Sequence, residues 1–172
     1  MVISLIGYMG SGKSHVSKIL SKHINFKLID LDHAISERHQ LSIPEIFEKK
    51  GEIYFRKQEK EILEELLEKE KSAIISLGGG TPVYYNNITT INENSVSIFL
   101  RASVKTLSER LIKEKNERPL ISRIPEEELP EFIAKHLFER NPFYNQAQII
   151  IDTDSKDAEE IADEIISKIS LV

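Results

Sequence analysis

The sequence predicts an α/β fold, a parallel sheet covered by helices on both faces, and three observations predict it. Five short runs rich in Ile, Val, Leu and Phe recur along the chain, each near-continuously apolar, as a strand covered on both faces must be. Longer amphipathic stretches separate them, and such alternation is the pattern of crossover connections between parallel strands. The 172 residues, 40% hydrophobic and 30% charged, suffice for one domain around one substantial core.

The elements follow in order. Val2–Ile6 is the first strand, Lys13–His23 the first helix and Phe26–Ile29 the second strand. Residues 31–60 form a long insertion holding His33–Gln40 and Phe47–Lys60. Within it, Ser42, Pro44 and Glu45 make a capping box with Pro in the first turn, opening a short helix to Lys50. A long helix spans Gly51–Lys69, and Ala73–Leu77 and Val96–Leu100 are the third and fourth strands. Ser103 is placed to cap the helix Val104–Lys113. Residues 113–126, "KEKNERPLISRIPE", are charged, carry two prolines and lack periodicity, the mark of a lid or a disordered loop. Glu127–Glu139 is helical and Gln148–Ile151 the fifth strand; Ser155 is the candidate cap of the last helix, Asp157–Ile169.

Composition excludes several classes. Net charge is −5, which disfavours non-specific attraction to nucleic acid or anionic membranes. With no cysteine there are no disulfides or thiolate metal sites, and His15, His23, His33, His39 and His136 show no metal spacing. Val2–Ile6 is too short to span a membrane, and glycines and Lys13 follow where a signal peptide would stay apolar. The expectation is a cytoplasmic protein, and a monomer, since no long apolar seam shows.

The first strand runs into "GYMGSGKS", which fits G-x-x-x-x-G-K-[ST] at Gly7, Gly12, Lys13 and Ser14, between a strand and a helix as its mechanism requires. Backbone N–H groups of such a loop and the helix N-terminus cradle phosphates, so Gly10, Ser11, Gly12, Lys13, Ser14 and His15 are the candidate nucleotide contacts. Lys13 would neutralise the β and γ phosphates, and the Ser14 hydroxyl would ligate Mg²⁺. No guanine-reading Asn-Lys-x-Asp exists, nor an apolar run ending in Asp-x-x-Gly. A small kinase fits better than a switch GTPase.

Acceptor candidates lie at the carboxyl ends of the next strands, where open α/β sheets bind ligands. "LIDLDHAI" offers Asp30 and Asp32. If the strand persists, their i, i+2 spacing turns both carboxylates to one side, Asp30 toward Mg²⁺ and Asp32 toward the acceptor; alternatively one of them caps the next helix. Arg56 and Glu59 are spaced to pair, which alone is an ordinary surface feature. "SAIISLGGGTP" ends the third strand in Gly78, Gly79 and Gly80, leaving only backbone to face an acceptor, or else a plain flexible loop. Arg118 and Arg123 fall in the candidate lid, and Arg140 near a helix end either serves the site or complements the helix dipole.

Together "GYMGSGKS", "DLD", "FRKQE", "GGGTP", "RPL" and "RNPFY", in this order over essentially the whole chain, resemble the shikimate kinases. The resemblance implies a three-layer P-loop fold in the nucleoside-monophosphate-kinase style, a five-stranded parallel sheet of order 2-3-1-4-5 with a substrate-binding insertion and a mobile lid. It implies ATP-dependent phosphorylation of the shikimate 3-hydroxyl on the chorismate route to aromatic amino acids. Asp32, Arg56, Gly79 and Arg140, beside Gly78 and Gly80, would hold shikimate. Arg118 would be the lid arginine, Arg110 would lie against adenine, and the loop 152–156, with Ser155, would complete the adenine site. Lys13, Asp32 and Arg118 would be the catalytic set.

The residues agree with that substrate. Forked arginines suit its carboxylate, Asp32 suits its hydroxyls, and Glu59 could hold Arg56 in place. Other readings stay open: Arg123 shares the role given to Arg118, and Arg110 serves only the surface of its helix. Tyr84, Tyr85, Phe143 and Tyr144 read as packing. A kinase for gluconate or a nucleotide, or a nucleotide-dependent binding module without transfer, would keep the phosphate loop.

Overall fold

The computed structural model describes residues 1–118 and 120–170. Five strands, β1 Val2–Ile6, β2 Lys27–Asp30, β3 Ala73–Ser76, β4 Val96–Arg101 and β5 Ile149–Asp152, pair in the order β2-β3-β1-β4-β5. Every pairing is parallel, so all five carboxyl ends lie on one edge.

Pleating sorts the apolar residues between two cores, since successive side chains of a strand point to opposite faces. Ile3 and Leu5 of β1, Ile74 of β3, Ile98 and Leu100 of β4 and Ile149 and Ile151 of β5 pack with Val16, Leu20 and Ile165. Those last three belong to α1 Lys13–Ile24 and α8 Ala158–Ile169. Val2, Ile6, Ile75 and Phe99 face the other way, into a larger cluster. It is built with α2 Leu31–His39, α3 Ile43–Lys50, α4 Glu52–Lys69, α5 Asn87–Asn94, α6 Val104–Lys113 and α7 Leu129–Tyr144.

The caps of α3 and α6 match expectation: Ser42 and Glu45 form a complete capping box, and Ser103 Oγ accepts the Thr106 N–H at 3.1 Å. The last helix corrects it. Asp157, not Ser155, caps α8, in a box with Glu160. Ser155 sits two residues too early, in left-handed backbone with φ 59°.

Four further differences stand out. The second strand ends at Asp30 and does not persist to Asp32, because Asp30 caps α2: its Oδ1 accepts the His33 N–H at 2.9 Å. Asp32 therefore lies in a helical first turn, and the i, i+2 strand argument fails. Helix α5, unforeseen in the β-branched and polar "NNITTINEN", forms because Asn87, Ile88 and Ile91 are buried, so packing overrides weak propensity. Helix α7 runs on past Glu139 to Tyr144 with Pro142 inside it. In the 113–126 segment, a 3₁₀ turn at Lys115–Glu117 and backbone bonds from Ile121 and Ser122 to the Arg118 carbonyl replace the structureless stretch. Ile121, fully buried, anchors it; Pro119 lies outside the described residues.

Because the cap of α8 is a capping box, Asp157→Ala should lower unfolding free energy in urea by about 1 kcal/mol. Ser155→Ala should stay within about 0.5 kcal/mol of the parent. The reverse order would return the cap to Ser155.

Candidate active site

The order β2-β3-β1 sets three loops side by side on the carboxyl edge: Asp30 and the start of α2, Gly78–Gly80 after β3, and the phosphate loop after β1. They open onto a cleft of about 650 Å³.

On the donor side, Gly12 is the N-cap of α1 with φ 93°, a left-handed conformation open to glycine and strained for other residues. It turns the loop so that the amino end of α1 faces the cleft, lined by Gly10, Ser11, Gly12, Lys13, Ser14 and His15. Lys13 Nζ donates to the carbonyls of Gly7 at 2.7 Å and Tyr8 at 3.1 Å. Burial lowers its pKa to about 8, with Arg118 and Arg140 adding to the effect and Asp32 and Asp30 opposing it. Arg110, on α6, donates to the Gly10 carbonyl at 3.1 Å and so roofs the loop. Arg118 reaches the cleft from the 113–126 segment, held by Glu114 through Nε at 2.7 Å. Arg123 points into solvent, outside the cleft lining.

Asp32 and Arg140 complete the acceptor side. Asp32 is open to the cleft yet walled by protein; burial first, then the charges of Asp30 and Glu59, raise its pKa to about 6, against Lys13 and Arg56. A Cβ at Gly78 would stand 3.0 Å from Asp32 Oδ1, and one at Gly79 only 2.8 Å from Arg140 Nη1. Side chains there would fill the space in which a ligand could meet these groups. Arg140 also lies over the Tyr8 ring, 5.6 Å from its centroid, and Tyr144 donates its hydroxyl to the Gly79 carbonyl at 2.5 Å. Tyr8 in turn meets His136 Nδ1 at 2.9 Å. The phosphate loop and the arginine-bearing helix α7 are thereby tied together.

Arg56 stands at the Gly80 end of this wall. Its guanidinium is within 2.6 to 2.9 Å of where a Cβ at Gly80 would lie, but it is outside the cleft lining. Nη1 donates to Glu59 Oε2 at 2.8 Å, and the Tyr84 ring covers its carbon at 4.1 Å. The Arg56–Glu59 pair is no surface feature, since Glu59's side chain is 1% exposed. Tyr84 stacks on a cation instead of only packing, a role that its place four residues after the glycines left unmarked.

Of the expected residues, then, the cleft gathers the phosphate loop, Asp30, Asp32, the three glycines, Arg110, Arg118 and Arg140. Ser155 is not among them: Lys156, Asp157, Ala158 and Ile161 form that wall. The expected loop 152–156 reaches the cleft through Lys156 instead of Ser155, and sequence reasoning missed Leu120 because a single apolar residue in a polar loop carries no pattern.

A family model described as shikimate kinase matches residues 9–170 of the chain. The shikimate kinase of Flavobacterium johnsoniae is 49% identical over 165 residues, 95% of this chain and 96% of that protein. That of Flavobacterium psychrophilum is 44% identical over 95% of both chains. Among solved structures, the shikimate kinase of Bacteroides thetaiotaomicron superposes with a TM-score of 0.93 at 34% identity, covering 99% of this chain and 98% of that one. The Acinetobacter baumannii shikimate kinase in complex with shikimate gives 0.86 at 31% identity, over 98% and 92% of the two chains. The chain belongs to the shikimate kinase family.

Proposed function

We propose that the protein transfers the γ-phosphoryl group of ATP to the 3-hydroxyl of shikimate, releasing ADP. One observation carries the reading: the phosphate loop shares a single cleft with Asp32, the side-chain-free wall Gly78–Gly80 and Arg140. The relatives' activity supports the choice of acceptor. In this reading the substrates are the small molecules ATP and shikimate, and a net charge of −5 disfavours non-specific attraction to nucleic acid. The reading has the enzyme act as a monomer in the cytoplasm; no helix among the described residues is long and apolar enough to cross a membrane.

The chain's residues divide the work. The loop amides, the α1 N-terminus and Lys13 bind the β and γ phosphates, with Lys13 exchanging its contacts to the Gly7 and Tyr8 carbonyls for phosphate oxygens. Arg118 exchanges Glu114 for the phosphoryl group in flight and neutralises its charge. Arg140 and Arg56 receive the acceptor carboxylate as forked donors. Asp32 orients the attacking hydroxyl and is placed to take its proton.

The donor chemistry here fits Mg²⁺. Ser14's exposed hydroxyl and Asp30's carboxylate, one oxygen of which serves the α2 cap, are hard oxygen donors. No group of three His, Cys, Asp or Glu among the described residues could hold a metal alone, so phosphate oxygens would complete the shell. When bound, the ion neutralises charge on the β and γ oxygens.

Coupled detection of ADP release should show turnover with shikimate and not with gluconate or nucleoside monophosphates; the opposite preference overturns the assignment. Arg140→Ala and Arg56→Ala should each weaken shikimate binding by about tenfold to more than a hundredfold, as loss of a charge-assisted contact costs ~1.5–3 kcal/mol. ADP affinity, read by calorimetry, should stay near that of the parent.

Asp32 gives a pH dependence. Since its carboxyl titrates near pH 6, kcat/KM for shikimate should fall as pH drops through about 6. Asp32→Asn should be slow at every pH and lack that limb. Stability supplies a second sign: a carboxyl raised from 3.8 to about 6 makes the folded chain bind the extra proton. Its stabilisation is full below pH 3.8 and lost as pH rises through about 6. Asp32→Asn should therefore gain Tm relative to the parent at pH 7 and not at pH 4.

A further inference from the structure

Behind the glycine wall lies a buried hydrogen-bonded network that the reading above leaves without a role. Thr81, Asn87 and Glu59 are 0, 0 and 1% exposed. Thr81 Oγ1 donates to Glu59 Oε1 at 2.6 Å, and the other oxygen of that carboxylate accepts from Arg56 Nη1 at 2.8 Å. The backbone of Thr81 is committed too: its N–H donates to the Gly78 carbonyl at 3.1 Å, and its own carbonyl accepts from Asn87 Nδ2 at 2.9 Å. One residue thus links both the glycine segment and helix α5 to the carboxylate that holds Arg56. The space is equally shared: a Cβ at Gly78 would meet Thr81 Oγ1 at 3.1 Å and Glu59 Oε1 at 3.4 Å as well as Asp32.

We infer that Thr81 is a positioning residue for acceptor recognition, fixing through Glu59 the orientation in which the Arg56 guanidinium meets an anionic acceptor beside Gly80. The inference rests on the proposed acceptor class, a small carboxylate. A buried carboxylate can turn about its Cγ–Cδ bond, and the Thr81 hydroxyl fixes its plane by holding Oε1. That leaves Oε2 for Nη1, and Nη2 beside Gly80 for a ligand. Without the hydroxyl, Oε1 is buried and unpaired, and the carboxylate turns to recover a donor, drawing the guanidinium with it.

The test compares Thr81→Val, of similar shape but without the donor, with Thr81→Ser, which retains it. Calorimetry should give a Kd for shikimate raised about tenfold in Thr81→Val and restored to within about twofold in Thr81→Ser, with ADP binding unchanged in both. In an Arg56→Ala background, Thr81→Val should have no further effect on shikimate. A second readout needs no acceptor: phenylglyoxal should modify Arg56 several-fold faster in Thr81→Val than in the parent, followed by peptide mass spectrometry. Equal shikimate affinity and equal labelling would overturn the role, as would a loss that persists in the Arg56→Ala background or extends to ADP. Should the parent bind no shikimate, the functional reading fails and the labelling comparison alone decides the role of Thr81. Should Thr81→Val not fold, Thr81→Ala takes its place with the same expected order.

Discussion

The register of three parallel strands is the constraint on which the site depends. Asp30 of β2 and Leu5 of β1 both pair with Ser76 of β3, so the three strands stop abreast. Their next residues then have nowhere to go but over the same edge. Slipping one strand by a residue would turn its apolar set to the wrong face, and two cores hold it against that. Burial far from the cleft thereby fixes the distance between the phosphate cradle and Asp32. The same order leaves β4 and β5 to carry α6 with Arg110, and the wall from Lys156 to Ile161.

Glycine acts here by subtraction. At Gly78, Gly79 and Gly80 an added Cβ would collide with Asp32, Arg140 and Arg56 in turn, so three charged groups from α2, α7 and α4 reach one short backbone segment. Burying these groups, with like charges beside them, carries an electrostatic cost, visible in Asp32, which is pushed up to about 6, and Lys13, drawn down to about 8. An anionic donor beside Lys13 and an anionic acid beside Arg56 and Arg140 would relieve part of it. The site is arranged for its ligands more than for its own stability.

Much of this was legible in the sequence, and the exceptions are instructive. The phosphate loop is readable because its chemistry needs fixed residues at fixed spacing with a strand before and a helix after. The five strands are readable because burial on both faces leaves continuous apolar runs. Asp32 was found through the wrong local structure: the i, i+2 argument assumed a strand, whereas the cap at Asp30 had already begun α2. Arg56 and Glu59 looked like one more exposed i, i+3 pair, since spacing carries no information about what covers it. Helix α5, Thr81 and the Tyr84 stack depend on neighbours distant in the chain. Ser155 failed because Asp157, two residues on, has a glutamate three positions later to close a box, and Ser155 has none.

The two arginines assigned to opposite ends of the reaction show how burial sorts such groups by task. Arg118 pairs with Glu114 on an exposed segment, their side chains 36% and 44% exposed, and such a pair contributes about 0–1 kcal/mol. In the proposed transfer, exchanging Glu114 for a phosphoryl group would therefore cost little, as suits a group that engages and releases once per turnover. Arg56, at 12% exposure and joined to a carboxylate at 1%, is the opposite case. Removing it from Glu59 would strand a buried charge at a cost of about 3–5 kcal/mol. It stays where it is, and a ligand must come to it. In the proposed reaction, selectivity for the acceptor would reside in the buried wall, and the exposed arginine would serve the phosphate that all donors share.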